Sequence, residues 1–185
     1  MLLEDELIEK CIYGDRLAQK ELYERYSPIL FAICVRYMPT KAEAEDVLIM
    51  GFTSIFAKIE SYKSEGSLEN WMRRIIINLA IDTLRINHKH YEMRTENREW
   101  DDENIFVSKN TTYSQINIKE IMKQIKQLST GYRTVFNLYA IEGYSYEEIS
   151  NMLGISMGTV RSQLAKARKL LQKKLQIFRY NEEQF

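Results

Sequence analysis

The stretch from Ser145 to Lys174, SYEEISNMLGISMGTVRSQLAKARKLLQKK, constrains the fold more than any other part of the chain. Ser145 with Glu148 three residues on forms a capping box, so a helix starts there. Tyr146, Ile149, Met152 and Leu153 supply its apolar face, and Gly154 supplies the left-handed residue that ends it. Ser156 is placed to cap a second helix. In that helix Val160, Leu164, Ala167, Leu171 and Leu175 recur at i, i+4, i+7, i+11 and i+15. A short helix, a tight glycine turn and a longer helix make a helix-turn-helix.

Helical phasing sorts the remaining side chains. At about 100° per residue, Thr159, Ser162, Lys166, Lys169 and Lys173 fall opposite the apolar stripe, and Arg161 and Arg168 flank it. No acid occurs between Ile149 and Asn181. The exposed face is basic and hydroxylated, and it opens on small residues, Gly158 and Thr159. Small residues allow close approach to a groove, where Arg161, Ser162 and Gln163 can meet base edges. Later Lys and Arg residues suit phosphates, which give affinity without sequence information. A charge run on its own is more often a solvated face. The capping box, the turn glycine and the phasing together favour DNA binding.

The chain has 26 basic and 26 acidic residues, a balance that hides a division. Residues 1–60 carry 7 basic and 11 acidic groups, and residues 119–185 carry 11 and 6. Such asymmetry suggests a polyanionic partner for part of the chain. Seven Gly and two Pro in 185 residues favour helices over a turn-rich β fold.

The sequence predicts an all-α protein of two small helical domains. The first, residues 1–90, is a helical bundle. Leu17, Leu22, Tyr23, Tyr26, Leu30, Ile33 and Val35 recur at helical spacings, with a kink or break expected at Ser27-Pro28. Thr40 is a plausible N-cap, and Leu48, Phe52, Ile55 and Ile59 form one buried stripe. SYKSEGSLEN reads as a loop, followed by a helix from Trp71 to Arg85. Residues 91–115 are polar and acidic without a sustained period, and read as a flexible linker. The helix-turn-helix domain occupies 116–185.

LSTGYRTVFNLYAIEGYSYEEISNMLGISMGTVRSQLAKARKLLQKKL resembles the C-terminal domain of extracytoplasmic-function sigma factors, small members of the sigma-70 family. GDRLAQKELYERYSPILFAICVRYM, AEAEDVLIMGFTSIFAKIESY and WMRRIIINLAIDTLR resemble the family's N-terminal domain, in the same order. The resemblance implies a promoter-specificity subunit with core RNA polymerase, promoter DNA and an anti-sigma factor as partners. Under it, Arg161, Ser162, Gln163 and Lys166 would read the upstream (−35 class) element, with Arg168 and Lys169 on the backbone. The N-terminal domain would bind the polymerase clamp and open the downstream (−10 class) element, and the linker would enter the polymerase channel.

The residues around the first loop suit that second role. A separated strand needs a positive surface and a pocket for an extruded base. Tyr62, Lys63, Trp71, Arg73 and Arg74 surround the loop, with Trp71 expected mainly in the core. Asn78 lies in an otherwise apolar helix and calls for either an internal partner or a base. Glu45, Asp46, Ile49 and Met50 occupy the clamp-binding helix. The family's usual Gln-Glu pair is here Ile49-Met50, so either this contact is more apolar than usual, or the two side chains turn inward or pack against another partner.

Other chemistry is disfavoured. Cys11 and Cys34 form no CxxC motif and read as buried reduced thiols in a cytoplasmic protein. His88 and His90 lack partners at zinc spacing, and Glu43, Glu45 and Asp46 lack the Glu-x-x-His pairs of helical carboxylate metal sites. No P-loop, dinucleotide fingerprint or nucleophile elbow is present. No enzyme, metal or cofactor is therefore expected. MLLEDELIEK lacks the features of a signal peptide, and no apolar run could span a bilayer. Tyr132, Tyr139, Tyr144 and Tyr146 read as packing residues. A helix-turn-helix regulator acting without polymerase, or a module that sequesters a protein, are the alternatives.

Overall fold

The computed structural model describes residues 3–91 and 114–182, with the side chains of 3–86 and 120–174. The linker reading for 91–115 lies almost wholly outside the described residues. All regular elements among the described residues are helical. The chain divides into two compact units, Met1–Ile105 and Phe106–Phe185.

Among the described residues, the first unit is built from four α-helices. Helix α1 (Glu4–Ile12) opens on Glu4, Asp5 and Glu6, which favourably meet the positive end of the helix dipole. The Tyr26 hydroxyl donates to Glu4 Oε2 at 2.7 Å, tying α1 to α2. Helix α2 (Arg16–Tyr37) is capped by Asp15, whose carboxylate accepts from the backbone N–H groups of Leu17 and Ala18. Its buried line is Ala18, Leu22, Tyr26, Leu30, Ile33, Cys34 and Tyr37.

Of the kink or break expected at Ser27-Pro28, no break occurs: α2 runs through Pro28. Pro28 and Glu24 are both on the exposed side, where water can take the carbonyl that proline leaves unpaired. The buried stripe before and after Pro28 keeps the helix in one piece.

Helix α3 (Lys41–Lys58) starts on a full capping box: Thr40 Oγ1 accepts from Glu43 N, and the Glu43 carboxylate accepts from Thr40 N. Its apolar stripe is Ala44, Val47, Leu48, Phe52 and Ile55, and Ile59 continues it into a short tight turn. Helix α4 (Leu68–Tyr91) starts three residues before the expected position and buries Leu68, Met72, Ile76, Ile77, Ala80, Ile81 and Leu84. Helices α2, α3 and α4 pack against one another pairwise.

The second unit is organised around α8. It contains α5 (Ser114–Lys126), α6 (Thr130–Phe136), α7 (Tyr146–Leu153) and α8 (Met157–Glu182), with α5, α6 and α7 all packed on α8. Ile125, Leu128, Ala167 and Leu171 form a buried cluster, flanked by Met122, Tyr132 and Phe136. Val135, Leu138, Ile149, Val160 and Leu164 are also buried. Between α6 and α7 the backbone widens over Asn137–Ile141, where Glu142 N donates to Asn137 O five residues back at 3.0 Å. Such widened turns insert one extra residue per turn and re-aim the side chains around them.

Candidate nucleic-acid interface

The turn between α7 and α8 is fixed by local chemistry. Ser145 Oγ accepts from Glu148 N, and Ser145 N donates to the Glu148 carboxylate. Gly154 ends α7 at φ 65°, in the left-handed region that an L side chain adopts only with strain. Ser150 Oγ donates to Ile155 O at 2.6 Å, closing the turn from inside. Thr159 N donates to Ser156 Oγ at 3.1 Å, and the two hydroxyls lie 2.9 Å apart, so α8 starts where the sequence predicts.

Helix α8 then divides into two faces. Val160, Leu164, Ala167 and Leu171 are buried, while Arg161, Ser162, Lys166, Arg168, Lys169 and Lys173 are exposed. Gly158 is exposed and Thr159 half-buried against its cap. Gln163 is half-buried on the flank of the stripe, and a β-carbon on Gly131 of α6 would sit 3.6 Å from its Oε1. Gln163 thus lies beside α6, away from the middle of the exposed face.

The charge pattern separates α8 from the helices of the first unit. There, five surface cations have acids one turn away, Lys10 with Glu6, Lys20 with Glu24, Arg25 with Glu21, Lys41 with Glu45, and Arg73 with Glu69, while Arg16, Lys58 and Arg74 stand singly rather than in a run. Among the described residues Arg161, Lys166, Arg168, Lys169 and Lys173 have no carboxylate partner, because α8 has none within reach. A solvated structural helix needs no such one-signed ridge. A phosphate backbone does.

Two tyrosines read as packing residues turn out to support this face from the surface. The rings of Tyr139 and Tyr146 are stacked, with centroids 4.9 Å apart and planes 12° from parallel. The Arg161 guanidinium lies over the Tyr146 ring at 5.5 Å, and that of Arg168 over the Tyr139 ring at 5.2 Å. Hydrogen bonding with Tyr139 is the main cause that raises the Tyr146 hydroxyl from its ordinary value. No spacing rule reveals this arrangement in the sequence, because Tyr139 is brought to Tyr146 by the widened turn.

In the first unit the loop from Tyr62 to Ser67 carries the other predicted set. The Tyr62 hydroxyl donates to Gly66 O at 2.6 Å, and its ring lies 5.5 Å from that of Trp71. Trp71, expected mainly in the core, is half-buried at the surface, because Leu68 and Met72 already fill the interior position at this end of α4. Asn78 is exposed and has no need of an internal partner, since the buried line of α4 passes through Ile76, Ile77 and Ala80. Trp71, Arg74 and Asn78, at i, i+3 and i+7, share one face of α4. Arg73 lies off that face, 3.1 Å from Glu69. Lys63 is exposed in the loop.

Glu45, Asp46, Ile49 and Met50 are all exposed on one face of α3. Ile49 and Met50 retain 61% and 43% of their accessible surface, which rules out the inward-turned reading. Cys11 and Cys34 are buried free thiols, as expected. Among the described residues no group of three His, Cys, Asp or Glu side chains could hold a metal ion, and no helix is long and apolar enough to cross a membrane. The side chains of His88 and His90 lie outside the described residues.

A helix-turn-helix that ends in an unpaired basic ridge defines a protein that reads double-stranded DNA. The comparisons with known proteins narrow the class. Sigma-70 region 2 matches residues 22–89, and Sigma-70 region 4 matches residues 118–171. The ECF RNA polymerase sigma-E factor of Haemophilus influenzae is 27% identical over 95% of this chain and 96% of the relative. The ECF RNA polymerase sigma factor SigW of Bacillus subtilis is 28% identical over 91% of this chain and 94% of the relative. Among solved structures, the sigma factor RpoE of Bartonella quintana, crystallised with the anti-sigma factor NepR, has a similar fold. Its TM-score is 0.57 at 21% identity, covering 85% of this chain and 96% of that one.

The chain belongs to the sigma-70 family, in its extracytoplasmic-function branch, and is a promoter-specificity subunit of transcription initiation. A regulator with a helix-turn-helix alone would have no reason to match region 2.

Proposed function

We propose that the two units divide promoter recognition between them while bound to core RNA polymerase. The second unit reads the upstream element in the major groove. Arg161 and Ser162 meet base edges near the start of α8, Lys166 follows one turn on, and Arg168, Lys169 and Lys173 take phosphates. Gly158 and Thr159 keep the leading end of the helix slim enough to enter. Gln163 acts from the flank, beside α6.

The first unit holds the downstream element after strand separation. Tyr62 and Trp71 offer aromatic faces beside a loop, Lys63 and Arg74 offer charge, and Asn78 offers an amide on the same helix face as Trp71 and Arg74. Arg73 supports this face from its ion pair with Glu69. Glu45, Asp46, Ile49 and Met50 form the polymerase contact. The division falls at residues 1–90 and 116–185, with 91–115 as the tether. An anti-sigma factor is a further partner, the site of action is the cytoplasm, and bond-making chemistry belongs to the polymerase.

The observation that carries the reading is the cationic ridge of α8, free of carboxylates and set behind a fully capped helix-turn-helix. Its test is Arg161→Ala in holoenzyme, with upstream-element choice as the readout. Loss of a bidentate base contact costs about 1–3 kcal/mol of discrimination at one position. Unchanged base preference would refute the groove assignment.

A further inference from the structure

Arg161 has two jobs to do at once if it reads a base. It must present its N–H edge to the groove, and it must hold a long side chain still while doing so. A free arginine side chain carries about 2 kcal/mol of rotamer entropy, which opposes any contact made by its tip. Here the guanidinium carbon already lies over the Tyr146 ring, 5.5 Å from its centroid. Stacking uses the face of the group and leaves the hydrogen-bonding edge open.

The support is itself supported. Tyr146 stacks on Tyr139 at 4.9 Å, and Tyr139 carries Arg168, two helical turns along α8 from Arg161, at 5.2 Å. Tyr139 comes from the widened turn Asn137–Ile141, Tyr146 from the first residue of α7, and both arginines from α8. Three consecutive elements therefore meet through four flat side chains at the edge of the basic ridge. Among the described residues, Ser162, Lys166 and Lys169 lie on the same exposed face without any such ring beneath them.

We propose that Tyr146, backed by Tyr139, is a positioning residue that sets the base preference of Arg161. This rests on the groove reading given above. In this account the tyrosine pair adds little attraction for DNA in general, and its effect is concentrated at the base pair that Arg161 meets. Arg168, held by Tyr139, is fixed in the same way for a phosphate, so its loss weakens all sequences alike.

The test uses holoenzyme assembled from core RNA polymerase and the full chain. It selects from a duplex pool randomised across the upstream element and joined to a fixed single-stranded downstream segment. Wild type should select a definite pattern, and Arg161→Ala should flatten it at one or two adjacent positions. Tyr146→Leu should reduce discrimination at those same positions by about two- to fivefold, the range of an exposed cation–π contact. The other positions and the salt dependence should stay as in wild type. Tyr146→Phe, which keeps the ring, should restore the wild-type pattern. If Tyr146→Leu does not fold, judged by its thermal transition, Tyr146→Met serves in its place. A pattern unchanged in the ring-less variant, or equally damaged in Tyr146→Phe, overturns the proposal and leaves the groove reading standing. A pattern unchanged in Arg161→Ala overturns both.

Discussion

Gly51 of α3 and Ile76 of α4 meet where the two helices cross, and a β-carbon on Gly51 would overlap the Ile76 Cδ1 methyl. Ile76 is fully buried, so its methyl can make room only by turning within the packed core. The close crossing of α3 and α4 therefore depends on a missing side chain. It also sets where the exposed Glu45–Met50 face of α3 lies relative to the Trp71 face of α4.

Gly51→Ala should destabilise the first unit. Overpacking costs about 1–3 kcal/mol, while alanine gains at most about 1 kcal/mol in helix propensity. Ile76→Val removes the overlapping methyl, so Gly51→Ala with Ile76→Val should be more stable than the two single effects predict. Urea unfolding of the four proteins measures that coupling. Strict additivity would contradict the packing.

Gly154→Ala should cost the second unit about 1–2 kcal/mol, the strain of a left-handed L residue. Ser145→Ala should cost about 1 kcal/mol through loss of the cap. Both should appear in the unfolding transition of the second unit, leaving that of the first in place. A shift in the first unit's transition would contradict the division of the chain into two compact units.

The thiols give a pH prediction. Burial pushes Cys34 up to about 12 and, with the nearby Asp15 charge adding to it, Cys11 up to about 11. An unfolded thiol titrates near about 8.5. The folded state therefore holds protons that the unfolded state releases as pH rises. This contribution is complete below about pH 8.5 and is lost as pH climbs toward the folded values. A thiol reagent at pH 8 should label the folded chain slowly and the urea-unfolded chain quickly. Fast labelling of both cysteines under native conditions would contradict their burial.

Ile49 and Met50 bear on polymerase affinity. Both are exposed, so Ile49→Ala and Met50→Ala should leave stability within about 0.5 kcal/mol of wild type. If the clamp contact is apolar, each should weaken binding to core polymerase severalfold, with little dependence on salt. Titration of labelled chain with core polymerase measures this. Unchanged affinity would remove the pair from the contact.

What could be read in the sequence was local. Ser145 with Glu148, Thr40 with Glu43, Gly154 and Ser156 each act within one turn of themselves, so their spacing is enough. The buried stripe of α8 and its opposite cations follow from one helical period. What could not be read depended on neighbours distant in sequence. Pro28 looked like a break because its solvent exposure is a tertiary fact. Trp71 reads as core from its type alone, whereas in the fold Leu68 and Met72 fill that space. Tyr139 and Tyr146 were assigned to packing, since only the widened turn brings them together beneath Arg161 and Arg168.

The most direct measurement is run-off transcription with core RNA polymerase, the full chain and a library of candidate promoters. The account predicts transcripts that start at defined sites only when the chain is present, share one upstream and one downstream pattern, and lose the upstream preference in Arg161→Ala. Binding to DNA without any chain-dependent transcript, or transcripts with no common upstream pattern, would contradict it.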